Sequence, residues 1–228
     1  KEVLTLAKKE DVGDLNSKGE TASAFANYAS QIVRFATGED SIWEDPRALL
    51  ERAAAAWNVS QVRKPGEHLI RLTLNKADDW RKSRLVLDIV TDDRPFLVDS
   101  VSAALTDAGK PVSFFANAVI SCERDSKGRR TTEGGGETVR ESMIHAEMDP
   151  PVDDSEIAAL EANLTQVLAD VAAAVDDWEA MQTRLGSCVA QLERSRPEGV
   201  TRDDQREAVE FLKWLWDNHF AFLGVRRY

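Results

Sequence analysis

An α+β fold is predicted for this chain, with helices at both ends and a sheet-forming middle. Three observations predict it. Apolar residues recur at helical spacing through the opening third. From His68 to Met148 the pattern changes to strand-like alternation, interrupted by one amphipathic stretch. From Ile157 onward, apolar residues return every three or four positions with no proline among them as far as Leu192.

Taken in order, Lys1 to Asp11 reads as a short helix with Val3, Leu4 and Leu6 on its apolar side, broken by Lys18-Gly19-Glu20. Thr21 or Ser23 is expected to cap a helix running to about Ala36, with Phe25, Tyr28, Ile32 and Phe35 near one face and Thr37-Gly38 as its stop. Asp45-Pro46 opens a third helix carrying Leu49, Leu50, Ala53 and Trp57. His68 to Leu74 and Leu85 to Val90 alternate as strands. Pro95 to Ala108 is a helix with Leu97, Val101, Ala104, Leu105 and Ala108 on one face, closed by Gly109 and Pro111. Val112 to Glu123 and Glu137 to Met148 are two more strands, joined by the polar, glycine-rich connection Arg124 to Gly136. The middle therefore reads β, β, α, β, β.

The periodic run from Ile157 to Leu192 predicts one unbroken helix of roughly 50 Å at 1.5 Å per residue. One small sheet cannot cover that length, so part of it is expected to pack on the N-terminal helices or on another subunit. Ser195 to Gly199 is a break. A last helix spans about Asp203 to Asp217, and Phe220 to Tyr228 reads as the start of a strand. The absence of an initial Met and the apolar end are read as the edges of a piece of a longer protein.

Of the 228 residues, 43% are apolar and 30% charged, a balance that suits a soluble globular protein. The formal net charge of −11 argues against nucleic acid and anionic membrane surfaces as partners, because like charges repel. No apolar stretch is read as long enough to span a bilayer. The two cysteines, Cys122 and Cys188, match no metal-ligand spacing and are expected as free thiols in a cytoplasmic setting.

The most informative stretch is Asp92-Asp93-Arg94-Pro95-Phe96-Leu97-Val98, read as a strand end, an acidic turn and a helix with proline in its first turn. A helix N-terminus offers unpaired N–H groups on which a small carboxylate can dock. In such a site Asp92 and Asp93 would orient an ammonium group and the fork of Arg94 would grip a carboxylate. These seven residues are the ligand-binding candidates. The commoner uses of the same residues are an Asp that caps the helix and an Arg in a surface ion pair. His145 is read as an exposed or half-buried strand residue on the face opposite Glu147. With His68 and His219 it lacks a metal-ligand neighbour, so no metal is expected. Gly134-Gly135-Gly136 lacks a following Lys-Ser or Lys-Thr and reads as a flexible loop. Trp178, Trp214 and Trp216 read as core residues, with an interface anchor as the alternative. No catalytic residue is assigned.

Asp93-Arg94-Pro95 after a strand, followed by an apolar helix, resembles the first βα turn of ACT-type regulatory domains. The run Asp92 to Val101, Glu141-Ser142-Met143-Ile144-His145, Val175-Asp176-Asp177-Trp178 and His219-Phe220-Ala221-Phe222-Leu223-Gly224-Val225-Arg226-Arg227-Tyr228 together resemble the N-terminal region of large, bacterial-type NAD-specific glutamate dehydrogenases. The resemblance implies a ferredoxin-like antiparallel sheet and a parent enzyme that oxidises L-glutamate to 2-oxoglutarate and ammonia with NAD. It also implies a dehydrogenase module downstream, so no cofactor is expected in this chain. On this reading residues 1–64 are a helical segment, 65–193 an ACT-like domain with its long helix, and 194–228 a helix and first strand leading onward. The implied role is regulation or assembly, with the downstream domains, a homo-oligomer and an amino-acid effector as partners. Many amino-acid-binding ACT domains place glycine after the proline, where Phe96 stands here; on the rival reading Phe96 plugs the pocket and the chain is a purely structural oligomerisation module.

Overall fold

The computed structural model describes residues 20–35, 46–75, 83–131, 136–151 and 153–226. The expected helix at Lys1 to Asp11, the stop at Thr37-Gly38 and Gly134-Gly135 lie outside them. Contacts divide the chain into two units, one up to Leu168 and one from Ala169 onward.

The first unit opens with α1 (Glu20–Phe35) and α2 (Pro46–Val59). Thr21 and Ser23 lie inside α1 and not at its cap, a correction by one to three residues. Five strands follow: β1 (Leu69–Asn75), β2 (Arg84–Asp92), β3 (Val112–Arg124), the two-residue β4 (Arg130–Thr131) and β5 (Glu137–Met148), with α3 (Leu97–Asp107) between β2 and β3. The sheet order is β1-β2-β5-β3-β4, and every neighbouring pair is antiparallel. The connection from β2 through α3 to β3 therefore straddles β5, the split βαβ arrangement of ferredoxin-like folds. β4 forms inside the connection that sequence patterning reads as irregular.

The sheet is covered on both faces. Residues Leu85 to Thr91 of β2 are all buried, as are Glu141 to Met148 of β5, so the central strands lose the one-sided alternation of a solvated sheet. On one face Phe25, Tyr28 and Ile32 of α1 and Leu50, Ala53 and Trp57 of α2 join Val90, Phe114, Ala116, Ala118, Ile120 and Met143 in one core. Trp57 sits at its centre, 5.8 Å from the Phe25 ring and 5.4 Å from that of Tyr28. The Gln31 amide donates to the Val119 carbonyl and accepts from the Val119 N–H, fixing α1 to the backbone of β3. The opposite face buries Leu85, Leu87, Ile89, Ile144, Ala146 and Met148. There α3 contributes Leu97, Val101, Ala104 and Leu105, and the first half of α4 (Asp154–Asp176) contributes Leu160, Leu164 and Leu168.

By length and composition α4 is apolar enough to cross a membrane, which corrects the expectation that no stretch qualifies. Leu160, Leu164 and Leu168 are buried in this unit, but only 22% of the helix's apolar window is buried.

The second unit holds the end of α4, α5 (Trp178–Arg194), α6 (Arg202–Trp214) and a π-helical turn, Leu215–His219. The expected single long helix is interrupted at Asp177, where φ is −87° and ψ 1°. Two consecutive acids, Asp176 and Asp177, are weak helix formers at that point. The hydrogen bonds from Asp177 N to Ala173 O and from Met181 N to Asp177 O carry the ladder across the break. α5 packs on α6. Gly186 permits that packing, because a Cβ there would lie 3.2 Å from the Trp216 ring. Thr201 caps α6 by accepting from Asp204 N. Residues 220–226 form no strand. The expected strand has the right alternation, but the unit around it contains only helices and offers no edge to pair with.

Candidate functional site

The seven candidate residues converge on one turn. β2 ends at Asp92, Pro95 and Phe96 form the turn, and α3 begins at Leu97, so Pro95 precedes the helix and does not start it. Phe96 has φ 69° and ψ −3°, the left-handed region, and is 54% exposed. The backbone conformation that glycine adopts freely is thus held by a phenylalanine, and the ring faces outward, filling no pocket. For a residue with a Cβ this conformation costs about 1–2 kcal/mol. Phe96→Gly is therefore expected to raise stability by about 0.5–1 kcal/mol in urea denaturation, net of glycine's greater freedom when unfolded. A loss of stability would show that the Phe96 ring contributes packing its exposure does not suggest.

No side chain caps α3, so the expected Asp cap is a correction. Both aspartates are drawn elsewhere. Asp92 Oδ1 accepts from Arg63 Nη2 at 2.6 Å and Oδ2 from Gly66 N at 3.0 Å. Asp93 Oδ2 accepts from Arg140 Nη2 at 2.9 Å, and Asp93 N donates to Arg140 O at 2.9 Å. Arg94 Nη1 lies 3.5 Å from Asp92 Oδ2, an ion pair within the turn. Leu97 is buried and Val98 half-buried.

Behind the turn lies a buried ionic network that sequence reasoning missed. Glu141, paired in register with Asp92, is fully buried. Its Oε1 accepts from Arg63 Nε (2.7 Å) and Arg124 Nε (2.6 Å), and its Oε2 from Arg124 Nη2 (2.7 Å). Arg124 also donates to the carbonyls of Gly128 and Ser60, and Arg63 to that of Glu67. Gly128 must be glycine here: φ is 77°, and a Cβ would lie 2.6 Å from Arg63 O. Burial alone would raise the Glu141 carboxyl, but the hydrogen bonds and charges of Arg124 and Arg63 hold it below the ordinary carboxylate range. Arg63 thus ties Glu141 to the first residue of the turn.

A second network lies further along β5. His145 is 3% exposed, which corrects its reading as exposed or half-buried. Residues two apart share a strand face, so Glu147 lies beside it and not opposite. His145 Nδ1 is 2.7 Å from Asp88 Oδ1 and Nε2 is 3.5 Å from Glu147 Oε1. Arg52 pairs with Glu147 through Nε and through Nη2, the latter at 3.0 Å. Both ring nitrogens face carboxylate oxygens, which suits the doubly protonated imidazole. Burial alone would lower the His145 pKa, but the hydrogen bonds and charges of Asp88 and Glu147 push it up to about 9. The one local signal was the alternation that sets Glu141, Met143, His145 and Glu147 on one strand face.

His68 bonds Thr91 Oγ1 at 2.7 Å, and His219 stacks on Trp214. Trp214 and Trp216 are 48% and 43% exposed, so neither is the core residue expected. Among the described residues, no group of three or more His, Cys, Asp or Glu is placed to hold a metal ion. These residues do not fit a nicotinamide dinucleotide either. The sheet is antiparallel, and the β2–α3 turn carries no glycine fingerprint for a pyrophosphate.

A split βαβ sheet with its first helix set by an Asp-Arg-Pro turn defines an ACT-like α+β domain. The glutamate dehydrogenase ACT1 domain family matches residues 28–164, and the chain belongs to that family. The NAD-specific glutamate dehydrogenase of Halomonas elongata is 36% identical over 154 residues, covering 65% of this chain and 10% of the relative. The enzyme of the same name from Pseudomonas aeruginosa is 29% identical over 154 residues, 65% of this chain and 9% of the relative. That from Mycobacterium tuberculosis is 27% identical over 189 residues, 80% of this chain and 12% of the relative. The chain thus spans about a tenth of the length of the curated relatives it matches.

Proposed function

We propose that this chain is a non-catalytic assembly region of a large NAD-dependent glutamate dehydrogenase, acting in the cytoplasm. Oxidation of L-glutamate to 2-oxoglutarate and ammonia, and the NAD it uses, belong on this reading to other parts of the polypeptide. The observation that carries the assembly role is the apolar strip of the second unit. Phe211, Trp214, Trp216, Phe220, Leu223 and Val225 are between 43% and 83% exposed, far more apolar surface than a well-solvated helix pair presents. Aromatic residues of this kind anchor protein interfaces. The free thiols Cys122 and Cys188 support a reducing compartment.

Sedimentation velocity tests the reading. The chain is expected to self-associate with rising concentration, equally with and without L-glutamate, and Trp214→Ser with Phe220→Ser is expected to return it to monomer. A monomer at all concentrations overturns the assembly role.

Regulation by an amino acid is the second reading, and the backbone of Phe96 favours it. The turn keeps the left-handed conformation that a close-approaching ligand requires, although the side chains of Asp92, Asp93 and Arg94 are already engaged within the chain. Calorimetric titration with common amino acids separates the two, because heat that disappears on altering Phe96 or Val98 belongs only to a sensor.

A further inference from the structure

Beneath α1 and α2, Arg130 and Tyr28 flank Trp57, and all three carry buried polar atoms that make no hydrogen bond. The Arg130 side chain is 4% exposed, and none of its three guanidinium nitrogens is within hydrogen-bonding distance of an oxygen acceptor, the Cys122 sulfur being a side-chain neighbour. Its carbon lies 3.9 Å from the centroid of the Trp57 ring, and its closest carboxylate oxygen, Glu141 Oε2, is 3.7 Å from Nη2, beyond hydrogen-bonding distance. That carboxylate already accepts from Arg63 and Arg124, so three guanidiniums share one fully buried carboxylate and the half-buried Asp92. The indole Nε1 of Trp57 and the hydroxyl of Tyr28 are also buried and unpartnered, and the Tyr28 ring is 5.4 Å from that of Trp57. Arg130 acts electrostatically on Tyr28, Cys122 and Glu141, and the Asp88 carboxylate acts on Tyr28 more strongly than Arg130 does.

We infer that Arg130, Tyr28 and Trp57 form a site for a small carboxylate between the N-terminal helices and β4. A guanidinium and an indole N–H only donate. A water molecule there could give its hydrogens only to the Tyr28 hydroxyl or to Glu141 Oε2, which already accepts from Arg124, whereas a carboxylate accepts from several donors at once and donates none. Its two oxygens also match the planar fork of a guanidinium, which a halide does not. The Trp57 ring holds one face of Arg130, leaving the N–H edges to the ligand. The surplus of positive charge around Glu141 makes one added negative charge favourable in this buried setting. The site is separate from the β2–α3 turn and requires neither self-association nor NAD.

Isothermal titration of the 228-residue chain with sodium formate, sodium acetate and L-glutamate at constant ionic strength tests it. Saturable binding of formate or acetate is expected, weakened about tenfold or more in Arg130→Met and about threefold in Tyr28→Phe. Tyr28→Phe keeps the ring and guards against a failure of Arg130→Met to fold, which circular dichroism would reveal. Formate binding without glutamate binding assigns the site to free small acids; glutamate binding more tightly than formate assigns it to the carboxylate of an amino acid. Flat titrations with both formate and acetate, or unchanged affinity in Tyr28→Phe and in folded Arg130→Met, overturn the inference.

Discussion

Replacing Glu141 by glutamine is expected to destabilise the first unit by about 3–5 kcal/mol, the cost of leaving buried charges without their partner. The substitution keeps the shape of the side chain and removes its charge. Arg63 and Arg124 would remain buried at 2% exposure each, with only carbonyl oxygens and Asp92 to answer them. Glu141 spans the join between β3, β5 and the segment after α2, so the loss is expected to be cooperative, seen as a lower urea midpoint with an unchanged slope. The pH dependence has a definite sign. The carboxyl is held below its ordinary value in the folded chain, so its contribution is present above the unfolded pKa of about 4.3 and is lost as pH falls through the lower folded value. The glutamine variant should lose that part of the acid limb. A change within about 1 kcal/mol, the scale of a surface pair, would show that water reaches Glu141 and that the network is not the buried brace described here.

The fold was legible where the pattern was local. Alternation located β2, β3 and β5, and Pro46, Gly109 and Pro111 marked helix ends by backbone constraints that do not depend on the rest of the chain. The ionic networks were illegible because their members meet only after folding. Arg52 reaches Glu147 across 95 residues and Arg63 reaches Glu141 across 78. Without those arginines, His145 reads as an exposed or half-buried strand residue, and nothing local marks Asp88, Glu141 or Glu147 as buried. The same cause explains the turn. Its position followed from the proline, but Asp92 was taken from its expected capping role by Arg63, which lies 29 residues upstream. The strand expected at Phe220 failed for the reverse reason, since alternation describes a segment that can pair and cannot supply the edge it pairs with.

The second large effect is expected on the alkaline side. His145 has a folded pKa of about 9 against an ordinary value of 6.5, so its charge stabilises the fold fully below pH 6.5. That contribution should decline as pH rises through 9. The shift corresponds to about 3 kcal/mol. His145→Gln cannot titrate, so the stability gap between parent and variant should be widest near pH 6 and should narrow by about that amount toward pH 10. Urea midpoints at several pH values read it directly. The groups facing the imidazole do not mask the trend. Burial first of all opposes the ionised form of Glu147, yet the bonds from His145 and Arg52 keep its carboxyl below the ordinary range, so it titrates on the acid side. Burial and the charge of Asp88 push the Tyr28 phenol above its usual range, so it stays protonated throughout. Parallel profiles for parent and variant across this interval would mean that His145 is neutral in the folded chain. Asp88 and Glu147 would then face an uncharged ring, leaving Arg52 as the charged partner of Glu147.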